Sequence, residues 1–544
     1  MLIAFAKRIL TSMFLLLITL TFLGHLSPQV AITSAQQPNE IRIDPSVRTG
    51  AIVTHFGFDL KGGRNVTKKL RDATLLYGDT NANLVRIPIL AKSHNADGSV
   101  PPAVYAQMFK SIHNIKSVNP DVEVFASLKL LNEQTFPGWI ASNEDGSIFG
   151  NKVKRPDPKK YAQLVADYVE LLAQENIVID FLGLNNECSR ALTPDRYIAT
   201  AKELNRLLKR RKLAKPFRSF QYIGSEGFGV PTSVRYAEAI RNAGGLDFAD
   251  IFGSHFYPDH ASGKIEDWTR LTDATRRPTW HTEVHVRSSE IPAEHIAKVR
   301  DGLAIVFKTN QRGVQGYIWW ARANGTDFVN RVRRSVVNSL RGGSCVLTSG
   351  NYLAKGNRKK ATLFQATRVE DTVWLWCCNP GPAISNVTIR LESKAAESSQ
   401  GQFWAGGNTM TESTLGKLVV ELSPKNRGRK LIVKQLPATS ISLVKIDLVN
   451  KRKKKTLQKT VKKSAQEPSK PITPKPTEPP ADSPLVAQRE WKSTTGPRAV
   501  LATLVSVKDG VGQFQRENGE SFEFAIDKLT PADQAIVADA LKNQ

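Results

Sequence analysis

Ile179-Asp180-Phe181-Leu182-Gly183-Leu184-Asn185-Asn186-Glu187 is a β-prone run that stops at a carboxylate, and Pro278-Thr279-Trp280-His281-Thr282-Glu283 repeats the arrangement further on. Parallel α/β barrels carry their reacting groups at the C-terminal ends of strands. Working outward from these two runs, apolar strand-like stretches recur at 51–58, 83–89, 122–128, 220–225, 251–256 and 315–320. With 179–185 and 278–283 they make eight. Amphipathic stretches lie between them at 66–77, 101–118, 158–175, 194–211, 231–243 and 292–310. Pro158 and Pro194 stand where a helix start tolerates proline. Eight strands with intervening helices predict a (β/α)8 TIM barrel over 45–345, in the α/β class. An open doubly wound sheet is the competing topology. No Gly-rich phosphate loop follows the first strand, which leaves a nucleotide site without support.

The pattern changes after residue 345. Short runs rich in Val, Leu and Thr at 361–367, 372–378, 385–391, 417–422, 429–434 and 438–446 are separated by Gly, Asn, Pro and Ser. They predict an all-β sandwich over 346–448. Segment 449–488 is Lys-rich, then Pro-rich, and has too little apolar surface to fold, so it reads as a linker. Apolar alternation returns in 489–544: Ala499 to Val507, a turn at Asp509-Gly510, further strands, and a helix opened by Thr530-Pro531-Ala532-Asp533. This reads as a small independent β module.

A chain of 544 residues exceeds what one core serves. Residues 1–35 have the pattern of a secretory signal: Lys7 and Arg8, an apolar stretch from Ile9 to Leu26, then Thr33-Ser34-Ala35. An uncleaved membrane anchor is the alternative. Four cysteines, Cys188, Cys345, Cys377 and Cys378, are too few for a disulfide framework. Cys377 and Cys378 adjoin in a strand and so face opposite ways. One bridge from Cys345, or buried free thiols, are both open. The net charge of +26 is uneven, with 12 basic against 4 acidic residues in 449–495. The large middle region is basic in its own right, which suits an anionic polysaccharide, an anionic surface or solubility alone. Nucleic acid is disfavoured, since no binding motif is present.

Two strand-end glutamates can divide one task, one protonating a leaving oxygen while the other attacks a sugar carbon. Glu187 is the candidate acid/base and Glu283 the candidate nucleophile. The acid must keep its proton near neutral pH, which an ionised neighbour favours. Glu226, ending Gly224-Ser225-Glu226, is the competing carboxylate. His281 and His285 flank Glu283 at alternate positions and would share its strand face.

Five motifs carry a resemblance. Gly183-Leu184-Asn185-Asn186-Glu187, Trp280-His281-Thr282-Glu283, Gly316-Tyr317-Ile318-Trp319-Trp320, Ser254-His255-Phe256-Tyr257-Pro258 and Val85-Arg86-Ile87-Pro88 resemble strands four, seven, eight, six and two of clan A glycoside hydrolases. The sandwich, closing at Leu436-Pro437-Ala438-Thr439-Ser440-Ile441, is similar to that of glycoside hydrolase family 30. Cys188 departs from the pattern, since many relatives have proline or a small residue there. The resemblance implies a retaining mechanism, with Asn186 on the sugar 2-hydroxyl and Arg86 holding Glu283 charged and oriented. It further implies that Tyr257 donates to Glu283, that His255 and His281 line the pocket, and that Trp320 stacks on a sugar. Trp319 is a further candidate, although one residue along it should face the opposite side. Arg489-Glu490-Trp491, Gly510 to Phe514 and Ile526 to Asp533 resemble the small homology domain first described in a yeast endocytic adaptor, a peptide-binding module.

The expectation is an exported or periplasmic retaining glycosidase acting on a polysaccharide, anionic ones included. It would have no cofactor or metal, and a protein or envelope partner for the tail. The membrane would be met only through an uncleaved signal. The alternative is a non-catalytic glycan-binding or surface scaffold protein that keeps the barrel.

Overall fold

The computed structural model describes residues 40–449 and 486–542, apart from 61–68, 102, 131–134, 258–262, 285–291, 321–327, 351–361, 407–412, 493–498 and 516–520. The leader reading, most of the linker reading and His285 lie outside the described residues. Among the described residues no helix is long and apolar enough to cross a membrane.

The chain enters through β1 (Glu40–Arg48). Then follow β2 (His55–Asp59), β3 (Leu84–Leu90), β4 (Glu123–Lys129), a hairpin of β5 (Ala141–Ile148) and β6 (Asn151–Pro156), β7 (Phe181–Gly183), β8 (Gln221–Gly227), β9 (Ile251–His255), β10 (Thr279–Val284) and β11 (Val314–Trp319). Strands β2, β3, β4, β7, β8, β9, β10 and β11 close a parallel barrel. Each overlaps one of the eight runs read from the sequence.

The barrel interior is layered. Leu84, Phe125, Phe181, Ile223, Ile251, Trp280 and Ile318, one from each of seven strands, form a separate apolar cluster. His55 of the eighth strand packs 4.7 Å from Trp280 and 5.2 Å from Phe181. Two residues further along β3, β4 and β7 the same face carries Arg86, Ser127 and Gly183. This upper layer is polar rather than apolar, and it is the floor of the site.

Helices α1 (Ala103–Val118), α2 (Pro158–Gln174), α3 (Pro194–Arg210), α4 (Val230–Asn242), α5 (Asp267–Thr275), α6 (Pro292–Asn310) and α7 (Phe328–Leu340) alternate with the strands. The local sequence explains them. In α2 the Asp157 carboxylate accepts from the backbone N–H groups of Lys159 and Lys160 at 3.0 Å, and Pro158 opens the first turn. Tyr161, Leu164, Val165, Tyr168, Val169 and Leu172 then bury one helical face. Helices α5 and α7 and the β5–β6 hairpin lie outside the stretches picked from the sequence.

A second layer packs on α6 and α7. It is one ten-stranded sheet made of β1, β12 (Ser344–Gly350), β13 (Leu363–Val369), β14 (Thr372–Asn379), β15 (Ile384–Leu391), β16 (Ala396–Gly406), β17 (Ser413–Leu418), β18 (Val420–Leu422), β19 (Lys430–Leu436) and β20 (Ser440–Leu448). Their order is β17-β16-β20-β14-β13-β12-β1-β15-β19-β18. Ile41, Ile43, Ile389 and Val433 from one half share a core with Val373, Leu375, Val444 and Ile446 from the other, so the sheet curls into a sandwich. Its outer face sends Trp376, Cys378, Trp404 and Leu443 into the main core. Trp376 Nε1 donates to Ser339 Oγ of α7 at 3.0 Å, and Thr367 Oγ1 to the Ser339 carbonyl at 2.5 Å. Cys377 faces the sandwich core and Cys378 the other way, as alternation requires. All four cysteines are buried and free, which decides between the alternatives left open.

The first strand corrects the sequence reading, which began the barrel at residue 45. β1 runs to Arg48 and belongs to the sheet, pairing antiparallel with β12 and parallel with β15. It is the seam between the two halves, filled by residues far apart in sequence.

The region 455–544 is a separate compact unit. Strands β21 (Val486–Lys492), β22 (Ala499–Lys508), β23 (Val511–Gln515) and β24 (Ser521–Ala525) form a meander, followed by helix α8 (Pro531–Lys542). Trp491, Ala502, Leu504, Phe514, Leu529 and Val537 are its core. The Thr530 hydroxyl accepts from the Asp533 N–H at 3.4 Å and donates to the Asp533 carboxylate at 2.9 Å, capping α8.

A chain beginning at residue 49 should fail to fold even though every barrel strand remains, because the sandwich loses its seam. Calorimetry of chains beginning at 36 and at 49 checks this. A full cooperative transition in the shorter one would contradict it.

Candidate active site

Arg86 organises the site. It is fully buried at the upper layer of the barrel. Its Nη1 donates to Glu283 Oε1 at 2.6 Å, to Asp59 Oδ2 at 3.1 Å and to the Thr282 carbonyl at 3.1 Å. Its Nη2 donates to Asn186 Oδ1 at 2.7 Å, to Ser127 Oγ at 3.0 Å and to Glu226. The Phe125 ring lies beneath it at 5.2 Å. Burial alone would push the guanidinium toward losing its proton. The charges of Glu226, Glu283 and Asp59 outweigh this and hold its pKa above the ordinary value.

Both glutamates singled out from the sequence stand together above Arg86. Glu283 is 5% exposed. Besides Arg86 it accepts the Tyr257 hydroxyl on Oε2. Burial first, then the charges of Glu283 and Glu187, push the Tyr257 phenol well above its usual range, so it remains a donor. Glu187 adopts φ 56°, an uncommon conformation for a residue with a side chain. Its N–H donates to the Glu226 carbonyl at 2.9 Å, which pins this turn. Behind it Cys188 is buried and donates its S–H to Asn185 Oδ1 at 3.3 Å. The cysteine thus packs inside a closed loop. His255 bridges the pair, with Nδ1 2.7 Å from Glu187 Oε1 and Nε2 3.5 Å from Glu283 Oε1. Trp320 is half-buried, its ring 6.4 Å from that of Tyr257.

One atom each from Glu187, His255 and Glu283 lie within 4.8 Å of one another, and among the described residues this trio is the set that could hold a metal ion. The donor set fits one poorly. Both Glu283 oxygens already accept from Arg86 and Tyr257, and the guanidinium brings a positive charge to the position a cation would take.

Two candidates fall outside the group, and strand geometry explains both. Along β10 Trp280 faces the barrel interior, whereas His281 packs on Trp268 at 5.2 Å and Tyr317 at 6.2 Å. The pairing with β9 slips between His281 and Glu283. This irregularity turns Glu283 inward while leaving His281 outside, so the two do not share a face. The Phe256 N–H donates to His281 Nε2 at 3.2 Å, which fixes a neutral ring with its proton on Nδ1. Burial, then the nearby His255, pushes His281 down to about 3. Trp319 follows regular alternation, packs 5.7 Å from Phe56, and carries Arg333 at 5.7 Å over its ring, away from the pocket.

Glu226 is the residue that sequence alone undervalued. By alternation from the inward Ile223 it should face outward. The β8–β9 pairing slips between Ile223 and Glu226, and the fully buried carboxylate points in to Arg86 and to Ser127 Oγ at 3.0 Å. Gly183 makes this possible, because a Cβ there would stand 2.0 Å from Glu226 Oε1. The signal was present: Glu226 ends a strand just as Glu187 and Glu283 do.

Arg86→Met should cost about 3–5 kcal/mol of stability at pH 7, because it strips the counter-charge from buried carboxylates. Urea unfolding measures it, and a loss below about 1 kcal/mol would contradict the assignment. His281, and His94 at about 4 through burial, have folded pKa values below the unfolded 6.5. The unfolded chain therefore binds more protons below pH 6.5. Each histidine should remove about 1.4 kcal/mol per pH unit as pH falls, down to about 3 for His281. His281→Gln keeps an acceptor for Phe256, and thermal melts from pH 7 to 4 should fall less steeply than for the native chain. An equal slope would exclude His281 as a source.

No protein-family model matches the chain, and no curated protein matches it significantly. Solved structures do. A GH30 endoxylanase from Clostridium papyrosolvens C71 gives a TM-score of 0.55 at 14% identity, over 75% of this chain and 100% of its own. The glycoside hydrolase family 30 subfamily 8 xylanase from Clostridium acetobutylicum gives 0.54 at 14%, over 75% and 100%. The catalytic domain of GH30 xylanase C from Talaromyces cellulolyticus gives 0.52 at 15%, over 76% and 100%. A barrel with a packed β domain, this chain has the fold of family 30 glycoside hydrolases.

Proposed function

We propose that this protein is an exported glycoside hydrolase that cleaves β-glycosidic bonds of a polysaccharide with retention of configuration. The observation that carries the reading is the carboxylate pair: an oxygen of Glu187 and one of Glu283 lie within 4.8 Å. Retaining enzymes hold their carboxyls about 5–5.5 Å apart, while inverting ones leave about 6.5–9.5 Å for a water.

The steps follow from the surroundings of each group. Glu283, charged and aimed by Arg86 and Tyr257, attacks the anomeric carbon while Glu187 gives its proton to the departing oxygen. The C–O bond to the leaving sugar breaks as the Glu283 ester forms. Water then enters, Glu187 takes its proton, and the hydroxide oxygen displaces Glu283. Asn186 presents Oδ1 to Arg86, which leaves its amide hydrogens for the sugar 2-hydroxyl. His255 orients Glu187, and Trp320 offers a stacking face to the sugar. Glu226 and Asp59 fix Arg86 from behind.

Xylanases among the structural neighbours support a polysaccharide substrate. The net charge of +26 makes acidic and sulfated chains the first to try. Export is supported by the apolar leader pattern of residues 1–35. The separate C-terminal unit is assigned a protein or envelope contact, by its sequence resemblance to a peptide-binding module.

Reducing-end release from neutral, uronic-acid and sulfated polysaccharides tests the reading. One polymer should yield products, Glu283→Gln should abolish them, and the first anomer seen by NMR should match the bond cleaved. Binding of one polymer without turnover by the native chain would favour a glycan-binding protein instead.

A further inference from the structure

The β5–β6 hairpin has no part in the proposed chemistry, yet its turn is unusual. It follows β4 and so rises from the C-terminal face of the barrel, where the site lies. Ile148 pairs with Asn151 around a two-residue turn, Phe149-Gly150, and both turn residues have positive φ, 48° and 85°. Tight hairpins of this kind favour Asn or Asp before Gly, because those residues tolerate the left-handed region. A phenylalanine there is strained, and such strain concentrates at ligand-binding positions.

Nor is the strain relieved by burial. Ile148 is 3% exposed, whereas Phe149 is 46% exposed. Its ring stands edge-on to Phe228 at 5.1 Å and 89°. Phe228, two residues beyond Glu226, lies 5.6 Å from Tyr257. Tyr257 donates to Glu283 and neighbours Trp320. An unbroken aromatic track therefore runs from the reacting carboxylates to the hairpin tip.

The hairpin is also held in place. Gly146 packs so closely on the loop after Glu187 that a Cβ would stand 2.9 Å from Ala191 Cα and from the Arg190 carbonyl. Arg196 of α3 pairs with Glu144 and donates to the Pro156 carbonyl at 2.8 Å. The exposed ring is thus presented at a fixed position.

We propose that Phe149 is the platform of a remote sugar subsite, where a pyranose unit several residues from the cleaved bond stacks its C–H face. The site would then grip a run of consecutive sugars and favour long chains over short ones. This rests on the glycoside hydrolase reading and adds to it the length of chain recognised.

Phe149→Asn in the full-length protein is the test, since asparagine suits the turn. Thermal melts should show an unchanged or raised midpoint. The ratio of kcat/KM on a long chain to kcat/KM on an aryl monoglycoside should fall about five- to tenfold, the size of one lost ring contact. An unchanged ratio in an active enzyme overturns the subsite and leaves the hydrolase reading standing. A lowered midpoint with equal losses on both substrates also overturns it, in favour of a structural ring. A native protein that neither cleaves nor binds any glycan overturns the hydrolase reading, and the subsite with it.

Discussion

A single fully buried guanidinium is the constraint on which the rest of the site depends. Arg86 sits where the barrel would otherwise be filled with apolar side chains, and a buried cation there is tolerable only when opposite charges face it. The partners come from around the barrel: Asp59 from β2, Ser127 from β4, Asn186 after β7, Glu226 from β8, and Glu283 with the Thr282 carbonyl from β10. The two Nη atoms thereby tie β3 to partners from five other strands. The same bonds bring Glu283 to the height of Glu187. Structural need and chemical arrangement are here one network.

That network requires local departures from regular geometry. Two slips in strand pairing, in β8 and β10, turn carboxylates inward that alternation would send out. Gly183 leaves room for one of them. Glu187 accepts a left-handed backbone, held by the Glu226 carbonyl. Each departure is costly alone and persists because the packing around it is rigid. Outside the barrel, α6 and α7 lie between it and a sandwich pinned through Trp376 and Ser339.

Features governed by local periodicity were legible in the sequence. The eight barrel strands and most helices fall where periodicity puts them. Arg86, Asn186, His255, Tyr257 and Trp320 come from the resemblance, and the structure gathers them with Glu187 and Glu283 around one pocket. What escaped depends on departures from periodicity or on distant partners. Alternation puts His281 on the face of Glu283, and the slip between them that separates the two leaves no mark in the residue types. Glu226 reads from the sequence only as a competing carboxylate, and the slip in β8 that turns it in to Arg86 leaves no mark there either. Strand β1 looks like a prelude to the barrel, and only its pairing with β12 and β15 reveals its layer. The β5–β6 hairpin, polar and poor in β-branched residues, gives almost no strand signal, so Phe149 passed unnoticed.

The most direct test of the central claim is to trap the reaction halfway. An activated 2-fluoro glycoside of the sugar the enzyme releases slows departure from the nucleophile more than it slows attack. Peptide mass spectrometry of the inactivated protein would then find the sugar covalently attached to Glu283, with no adduct in Glu283→Gln. Attachment to another residue, or hydrolysis with inversion and no adduct, would contradict the assignment of Glu187 and Glu283 as a retaining pair.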